Sequence, residues 1–191
     1  MQTQEKIGLH KQVALVLVCA IAYFYAFKLN MHWFDLFEFS PGTNWIFIPS
    51  GLRLLFVLVL LEIGALGIVA ASLFINYTVG SSDAHAFNIV TALLSAGAPY
   101  LSRYIAVHFF KLSPQLAGLT SADFFKISVM FAAVSATLHQ LWFYWLGITE
   151  HWLNSALVMG VGDWLGTVLV LAFASFMIKS YKFIANKLIH G

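Results

Sequence analysis

Three charged residues lie within otherwise apolar stretches of this chain: Arg53, Arg103 and Asp163. A charged side chain in the middle of a membrane helix costs about 2.5–3.5 kcal/mol on insertion scales, and it usually faces the interior of a helix bundle. The economical arrangement pairs Asp163 with Arg53 or with Arg103, because paired charges cost less than isolated ones. We therefore predict a polar centre made by these residues, which acts either as a structural ion pair or as a site for a ligand or a proton.

Three histidines are weak candidates for a metal site, because His85, His139 and His151 are all expected near the same side of the predicted bundle. A metal or haem site requires side chains that converge from different helices. None of the three has a partner at a metal-ligand spacing such as H-x-x-x-H, and His85 and His151 stand at predicted helix starts. We therefore predict no metal and no cofactor.

The sequence also lacks the common catalytic patterns. It has no Ser-His-Asp order, Gly-rich phosphate loop or carboxylate pair in the context that catalysis requires. A single cysteine, Cys19, excludes an internal disulfide and a Cys-based cluster. The residues therefore favour a protein that binds or docks over an enzyme.

The composition places these groups in a membrane protein. The chain is 61% hydrophobic and 9% charged, whereas soluble domains are about a quarter charged. A chain of 191 residues cannot bury this much apolar surface in a soluble core, and it has room for about six spans. The sequence predicts a single all-α domain over residues 1–191, a polytopic integral membrane bundle of about six spans with some short or broken helices. The net charge of +2 gives no reason to expect a nucleic-acid partner.

Six helices are expected to position the charged residues. Residues 30–44 are aromatic and acidic and contain Pro41 and Gly42, so we predict a segment that lies at the membrane interface. The apolar run 45–79 would make one helix of about 52 Å, longer than a hydrocarbon core of about 30 Å. We therefore predict two short helices there. The predicted helices are residues 13–29, two within 45–79, 85–110, 124–146 and 153–181.

Proline and glycine residues are predicted to shape and pack these helices. A reversal is expected near Glu62, and glycines in the sixth helix are expected to break or bend it. Small residues let neighbouring helices approach closely. The predicted packing residues are Pro49, Gly51, Gly64, Gly67, Gly160, Gly162 and Gly166.

Lysine positions predict the orientation. Basic residues precede the first helix, flank the fourth connection and follow the sixth helix, whereas the alternate connections are acidic. The positive-inside rule places both termini in the cytoplasm, which requires an even number of spans.

Two stretches resemble a known family. "WIFIPSGLRLLFVLVL" (Trp45 to Leu60) is similar to the tryptophan, proline, glycine and leucine-rich helix of the membrane-associated sensor domain family, first type. "GVGDWLGTVLVL" (Gly160 to Leu171) resembles that family's closing signature, in which Gly-Asp and a following Gly open the last helix. The resemblance covers about residues 45–178. Its distinctive positions are Pro49, Gly51, Asp163 and Gly166.

The resemblance implies a sensing or docking module of the bacterial inner membrane. Family members usually precede a cytoplasmic histidine kinase, diguanylate cyclase or phosphodiesterase. Here the sequence stops at Gly191, soon after the last predicted span. We therefore expect a module without an output domain, which would pass any signal to another chain.

Three functions stay open from the sequence. The first is a sensor-like module that binds a ligand or a partner membrane protein through the polar centre. The second is an accessory subunit whose aromatic and glycine faces pack against a larger membrane assembly or a second copy. The third is a small-solute transporter, resembling the six-helix substrate-binding subunits of vitamin importers, in which helices broken near Pro49 and the glycines at 160–166 would offer free backbone groups.

Overall fold

The computed structural model describes residues 8–40, 42–79, 84–113 and 119–190, and these are mostly helical. Between the first two helices lies a short 3-10 helix, Asp35–Phe37, followed by an antiparallel hairpin of β1 (Glu38–Ser40) and β2 (Thr43–Asn44). The expected helical architecture is confirmed, but the purely all-α prediction omitted this hairpin. The helices are α1 (Leu9–Trp33), α2 (Ile48–Leu60), α3 (Glu62–Thr78), α4 (His85–His108), α5 (Ser121–Trp145) and α6 (Trp152–His190).

Three helices are long and apolar enough to cross a membrane, judged by length and composition. They are α1, α5 and the Trp152–Tyr181 part of α6. The apolar helices α2 and α3 are shorter, with 13 and 17 residues. The number of spans therefore stays a prediction beyond these three helices.

Consecutive helices run in opposite directions. Near the end of α1, Asn30 binds the Ile48 amide at the start of α2. Trp142 near the end of α5 likewise donates to Thr91 near the start of α4, and Gln140 in α5 reaches Met159 early in α6. The starts of α2, α4 and α6 thus share one end of the bundle with the β-hairpin. We call it the hairpin end, and the other the reversal end.

The reversal between α2 and α3 occurs at Leu61. Its backbone has φ 53° and ψ −122°, outside the helical region, so the chain leaves α2 and turns back. Gly64 then packs so closely on the Phe56 carbonyl that a Cβ there would overlap it. The two short helices are confirmed. The turn itself falls on Leu61, just before the predicted position.

The sixth helix is continuous. The prediction that Gly160, Gly162 and Gly166 break this helix is wrong, because all three lie within α6, while a bend at these glycines stays a prediction. At Gly162 and Gly166 another part of the chain passes where a side chain would otherwise stand. The glycines therefore serve close packing, which does not require a helix break.

The start of α5 shows how a local signal fixes a helix boundary. Thr120 accepts a hydrogen bond from the Asp123 amide at 3.2 Å, and the Asp123 carboxylate accepts one from the Thr120 amide at 3.0 Å. This reciprocal capping box satisfies amides that have no partner within the helix. The boundary therefore depends on two side chains only three residues apart in the sequence.

An apolar cluster fills the bundle toward the reversal end. The side chains come from α2, α4 and α5 and are almost completely buried. These side chains carry no polar atoms, so the cluster itself is stabilised by close packing. The apolar cluster is Leu54, Leu58, Ala98, Ala106, Ile127 and Phe131.

Candidate functional site

A buried ion pair joins α2 to α6. Arg53 Nη2 lies 2.9 Å from Asp163 Oδ1, and the two residues are 2% and 0% exposed. The Arg53 guanidinium also lies over the rings of Phe47 and Phe131, with its Cζ 5.5 Å from each centroid. Such contacts favour a cation that has been removed from water. Of the two arginines predicted as partners of Asp163, the structure selects Arg53.

Arg103 lies elsewhere. Its Nη1 donates to the Leu58 carbonyl at 3.3 Å, near the end of α2, and its charge acts on Glu62. The last carbonyls of a helix have no partner within it, so this contact stabilises the end of α2. The inclusion of Arg103 in the polar centre is therefore wrong, because α4 carries that residue to the reversal end.

Residues 42–47, the inserted segment, enter the bundle between α1 and α2. Thr43 and Asn44 are 1% and 8% exposed, so this strand is buried against the protein, whereas the interfacial position of residues 30–44 stays a prediction. Gln140 of α5 donates from Nε2 to Thr43 Oγ1 at 2.9 Å. Polar groups can be buried here because side-chain partners replace water.

A single amide group fixes the end of the inserted segment. The Asn30 side chain donates from Nδ2 to the Ile46 carbonyl at 3.3 Å and accepts from the Ile48 amide at 2.9 Å. Asn30 is 1% exposed, so both contacts are shielded from water. This clamp places the first turn of α2, and therefore Arg53, against α6.

Glycines of α6 make room for the same segment. A Cβ at Gly162 would overlap the Asn44 carbonyl, and one at Gly166 would overlap the Phe47 carbonyl. The Phe47 amide donates to the Gly162 carbonyl at 3.2 Å, so the inserted segment also binds the α6 backbone. Gly51 packs on the Gly166 carbonyl in turn.

The other predicted packing residues have separate contacts. Gly67 of α3 packs on Cys19 of α1, and Gly64 packs beneath α2. A Cβ at Gly160 would meet Ala136 at 3.6 Å, an ordinary contact. Pro49 stands in the first turn of α2, where its missing amide hydrogen costs nothing. Five of the six predicted packing glycines therefore face a close contact within this one chain, and Gly160 does not need to be glycine.

A cavity of about 390 Å³ lies beside the ion pair at the hairpin end. It reaches exposed residues at Glu38, Gly42 and Val79, so it communicates with the surface. Polar lining groups come from β1, the inserted segment and helices α2 to α5, and Arg53, Ser72 and His139 are among them. The aromatic side chains of its wall are Tyr23, Phe27, Phe47, Phe87 and Phe143.

His139 is the buried histidine of this wall. It is 3% exposed, its Nδ1 lies 2.8 Å from the Ser135 carbonyl, and its Nε2 lies 3.3 Å from Ser95 Oγ. Ser95 Oγ also donates to the Thr91 carbonyl at 2.9 Å. The imidazole is thus held at a fixed angle with one nitrogen on the side of Ser95.

Three polar atoms of residues in the cavity wall lack partners. Asn44 Oδ1, Arg53 Nε and Ser72 Oγ are buried, and none has a hydrogen-bond partner among the residues that the structure describes. Burying a polar atom without a partner costs about 1–3 kcal/mol, so each such atom requires an explanation. A bound molecule that supplies a donor and an acceptor would provide one.

The three candidate histidines do not converge. His85 is exposed at the start of α4, where its Nδ1 lies 3.0 Å from the Tyr77 hydroxyl, and His151 is exposed before α6. His139 is buried in the cavity wall. Over residues 8–40, 42–79, 84–113 and 119–190, no group of three or more His, Cys, Asp or Glu side chains could hold a metal ion.

The amide residues of the site were not recognised in the sequence. Asn30, Asn44 and Gln140 are all buried and all contact or line the inserted segment or the cavity. Their signal was present, because "LHQLW" places His139 and Gln140 side by side within an apolar helix. Polar residues in such a helix usually face the bundle interior, as charged ones do.

Comparison of the chain with protein-family models, curated proteins and solved structures found no match. The resemblance to the membrane-associated sensor domain family therefore stays a prediction from sequence.

Proposed function

We propose that this protein is a non-catalytic, multi-pass membrane module that binds a small molecule in the cavity at the hairpin end. One observation carries the proposal. The cavity of about 390 Å³ combines aromatic walls with three buried polar atoms, Asn44 Oδ1, Arg53 Nε and Ser72 Oγ, that have no partner in the described structure. Ligand sites are typically apolar cavities of about 300–1,000 Å³ with a few fixed polar groups.

The outer surface of the bundle supports a membrane location. Large apolar side chains such as Ile21, Val59 and Phe173 are exposed on α1, α2 and α6, with 55%, 68% and 66% of their surface accessible. Contiguous apolar surface of this kind is rare on soluble monomers and is the normal exterior of a membrane bundle. Three helices also have the length and composition of membrane spans.

Six spans are the simplest interpretation of the alternating helices. At 1.5 Å per residue, α2 is about 20 Å long, shorter than a hydrocarbon core of about 30 Å. The inserted segment would complete this crossing. Non-helical backbone is tolerated at membrane depth only where protein or water surrounds it, and Asn30 and the Gly162 carbonyl bind this backbone.

The charges favour a cytoplasmic reversal end. Lys11, Lys111 and Lys126 lie at that end, whereas Asp35 and Glu38 lie at the hairpin end. With the positive-inside rule, both termini would be cytoplasmic and the cavity would open on the outer side. The resemblance stated above implies that the membrane is the bacterial inner membrane.

The ion pair would organise the site. Asp163 holds the Arg53 guanidinium at the cavity wall and neutralises it, so an arginine can stay buried without a bound anion. This arrangement suits binding, and we propose no reaction for it. Each competing function loses one supporting feature, because α6 is unbroken and the predicted glycine faces, other than at Gly160, are filled within the chain. The exposed aromatic faces remain and are compatible with a partner protein or with lipid.

A cavity-filling variant tests the proposal. The purified full chain in detergent micelles is screened with small fragments by thermal shift, together with Ser95→Phe, which places a ring in the cavity. Leu93→Phe is the matched control, because Leu93 lies on the same helix and is 55% exposed. We expect fragments that raise the Tm of the wild type and of Leu93→Phe but leave Ser95→Phe unchanged. The proposal fails if no fragment stabilises the wild type, or if Ser95→Phe responds equally.

A further inference from the structure

The protonation of His139 limits what the cavity can bind. Its Nδ1 lies 2.8 Å from the Ser135 carbonyl oxygen. A carbonyl only accepts, so Nδ1 carries a proton and donates it. A second proton on Nε2 would bury another positive charge close to Arg53, which acts on this ring electrostatically. His139 Nε2 is therefore an acceptor.

The adjacent serine does not satisfy this acceptor. Ser95 has one hydroxyl proton, and its Oγ lies 2.9 Å from the Thr91 carbonyl but 3.3 Å from His139 Nε2. The shorter contact is the usual bond of a helical serine to the carbonyl four residues earlier. Asn44 Oδ1 is a second buried acceptor of the same wall, without a partner in the described part of the chain. The wall also holds two buried donors without an acceptor in the described part of the chain, Arg53 Nε and Ser72 Oγ, so a matching ligand group must both donate and accept, as a hydroxyl group does.

Charge and shape narrow the ligand further. The Arg53 charge is neutralised by Asp163 at 2.9 Å, and the exposed Glu38 carboxylate also lines the cavity, so no excess positive charge attracts an anion; a guanidinium in the wall disfavours a cation. Aromatic side chains of the wall favour a flat ring, among them Phe87 and Phe143, which stack on each other with their ring centroids 5.9 Å apart, since aromatic pairs gain about 0.5–1.5 kcal/mol beyond the area they bury.

We propose that the cavity binds an uncharged aromatic molecule that carries a hydroxyl group, with its O–H donated to His139 Nε2 and its ring among the aromatic side chains. This inference rests on the proposed function and adds the chemical class of the ligand. A substituted phenol fits a site of this volume.

Three probes with one skeleton test the class: 4-propylphenol, its methyl ether 4-propylanisole, and 4-propylbenzoate. Their binding to the purified full chain is measured by calorimetry in detergent micelles, and the signal of Ser95→Phe is subtracted as micelle partitioning. We expect the phenol to bind about tenfold more tightly than the ether, the effect of one hydrogen bond. The benzoate should bind least.

Two variants assign the acceptor. In His139→Phe the phenol and the ether should bind equally, whereas Ser95→Ala should keep the tenfold preference because Nε2 remains. Loss of the preference in Ser95→Ala would overturn the assignment to His139. The wild-type comparison needs no variant, so it stands even if His139→Phe does not fold.

The outcomes separate the two proposals. If the ether binds as tightly as the phenol, or the benzoate binds most tightly, the hydroxyl inference is overturned while binding in the cavity stands. If none of the three probes binds beyond the Ser95→Phe signal, the inference is overturned, and the fragment screen alone decides the proposed function.

Discussion

The two ends of this bundle bury their side chains by different means. Toward the reversal end, the apolar cluster fills the space between α2, α4 and α5 with groups that require only contact. At the hairpin end, Arg53, Asp163, His139 and Asn44 are equally buried but require specific partners. Most of those partners are present in the chain, and three atoms, Arg53 Nε, Asp163 Oδ2 and Asn44 Oδ1, lack them in the described structure. Partners missing from an otherwise matched set of polar groups are therefore better evidence for a binding site than the cavity volume alone.

The largest effect is expected where one charge of the hairpin end is removed. Asp163→Leu should lower the free energy of unfolding by about 3–5 kcal/mol, because it leaves the Arg53 guanidinium buried without its partner. Arg53→Met combined with Asp163→Leu should recover most of that loss, since no unpaired charge remains. Reversible unfolding in mixed micelles measures all three proteins.

Leu58→Ala with Asp163→Leu provides the matched comparison for the apolar cluster. Leu58 lies further along α2 toward the reversal end, about 7.5 Å from Arg53 along the axis at about 1.5 Å per residue, so the two losses should add within about 0.5 kcal/mol. If Arg53→Met combined with Asp163→Leu is as unstable as Asp163→Leu alone, the unpaired Arg53 charge does not account for the lowered free energy of unfolding.

A smaller loss of stability is expected when a methyl group is added where α6 contacts the backbone of the inserted segment. Gly166→Ala should destabilise the protein by about 1–3 kcal/mol, because its Cβ would overlap the Phe47 carbonyl. Gly160→Ala should be neutral or slightly stabilising, since its Cβ finds ordinary contact at 3.6 Å from Ala136 and alanine favours a helix. Equal Tm values for the two variants would contradict the packing described here.

The two hydrogen bonds between Asn30 and the backbone of the inserted segment and the start of α2 should contribute about 1–2 kcal/mol to the free energy of unfolding. Asn30→Leu removes both hydrogen bonds to this backbone and leaves the Ile46 carbonyl and the Ile48 amide without them. Hydrogen exchange should accelerate at the Ile48 amide, whereas the exposed substitution Tyr25→Leu on the same helix should change nothing. Unaltered exchange at Ile48 would mean that other contacts place the segment.

The smallest effect is expected at the reversal end. Thr120→Ala removes the side-chain cap of α5 and should cost about 1 kcal/mol. Ser121→Ala is the control at the next position. Fragment binding in the cavity at the hairpin end should persist in Thr120→Ala. Loss of that binding would show that a change at the reversal end affects the cavity.

Local patterns explain what could be predicted of the fold. The order of the helices, the short pair α2 and α3, and the cap at Thr120 all follow from apolar runs, chain length and neighbouring side chains. The hairpin and the inserted segment could not be predicted in the same way. Their backbone is stabilised by Asn30 and by Gly162, which are distant in sequence.

Only part of the candidate site could be predicted, because its other contacts join residues that are distant in sequence. Asp163 and Arg53 were identified because a charge in an apolar helix is costly and must be matched. The choice between Arg53 and Arg103 depended on which helix end each arginine reaches, and His139 was considered only as a metal ligand. Its role depends on Ser135 and Ser95, and the second of these lies on another helix.

The sequence by itself determined that this chain forms apolar helices around a few buried charges, because hydrophobicity and charge cost belong to individual residues and their near neighbours. Only the tertiary structure decided that Asp163 pairs with Arg53, that residues 42–47 enter the bundle, and that a cavity forms beside His139. These features arise where side chains from distant parts of the chain satisfy one another's hydrogen bonds, and a linear pattern contains no record of which distant groups meet.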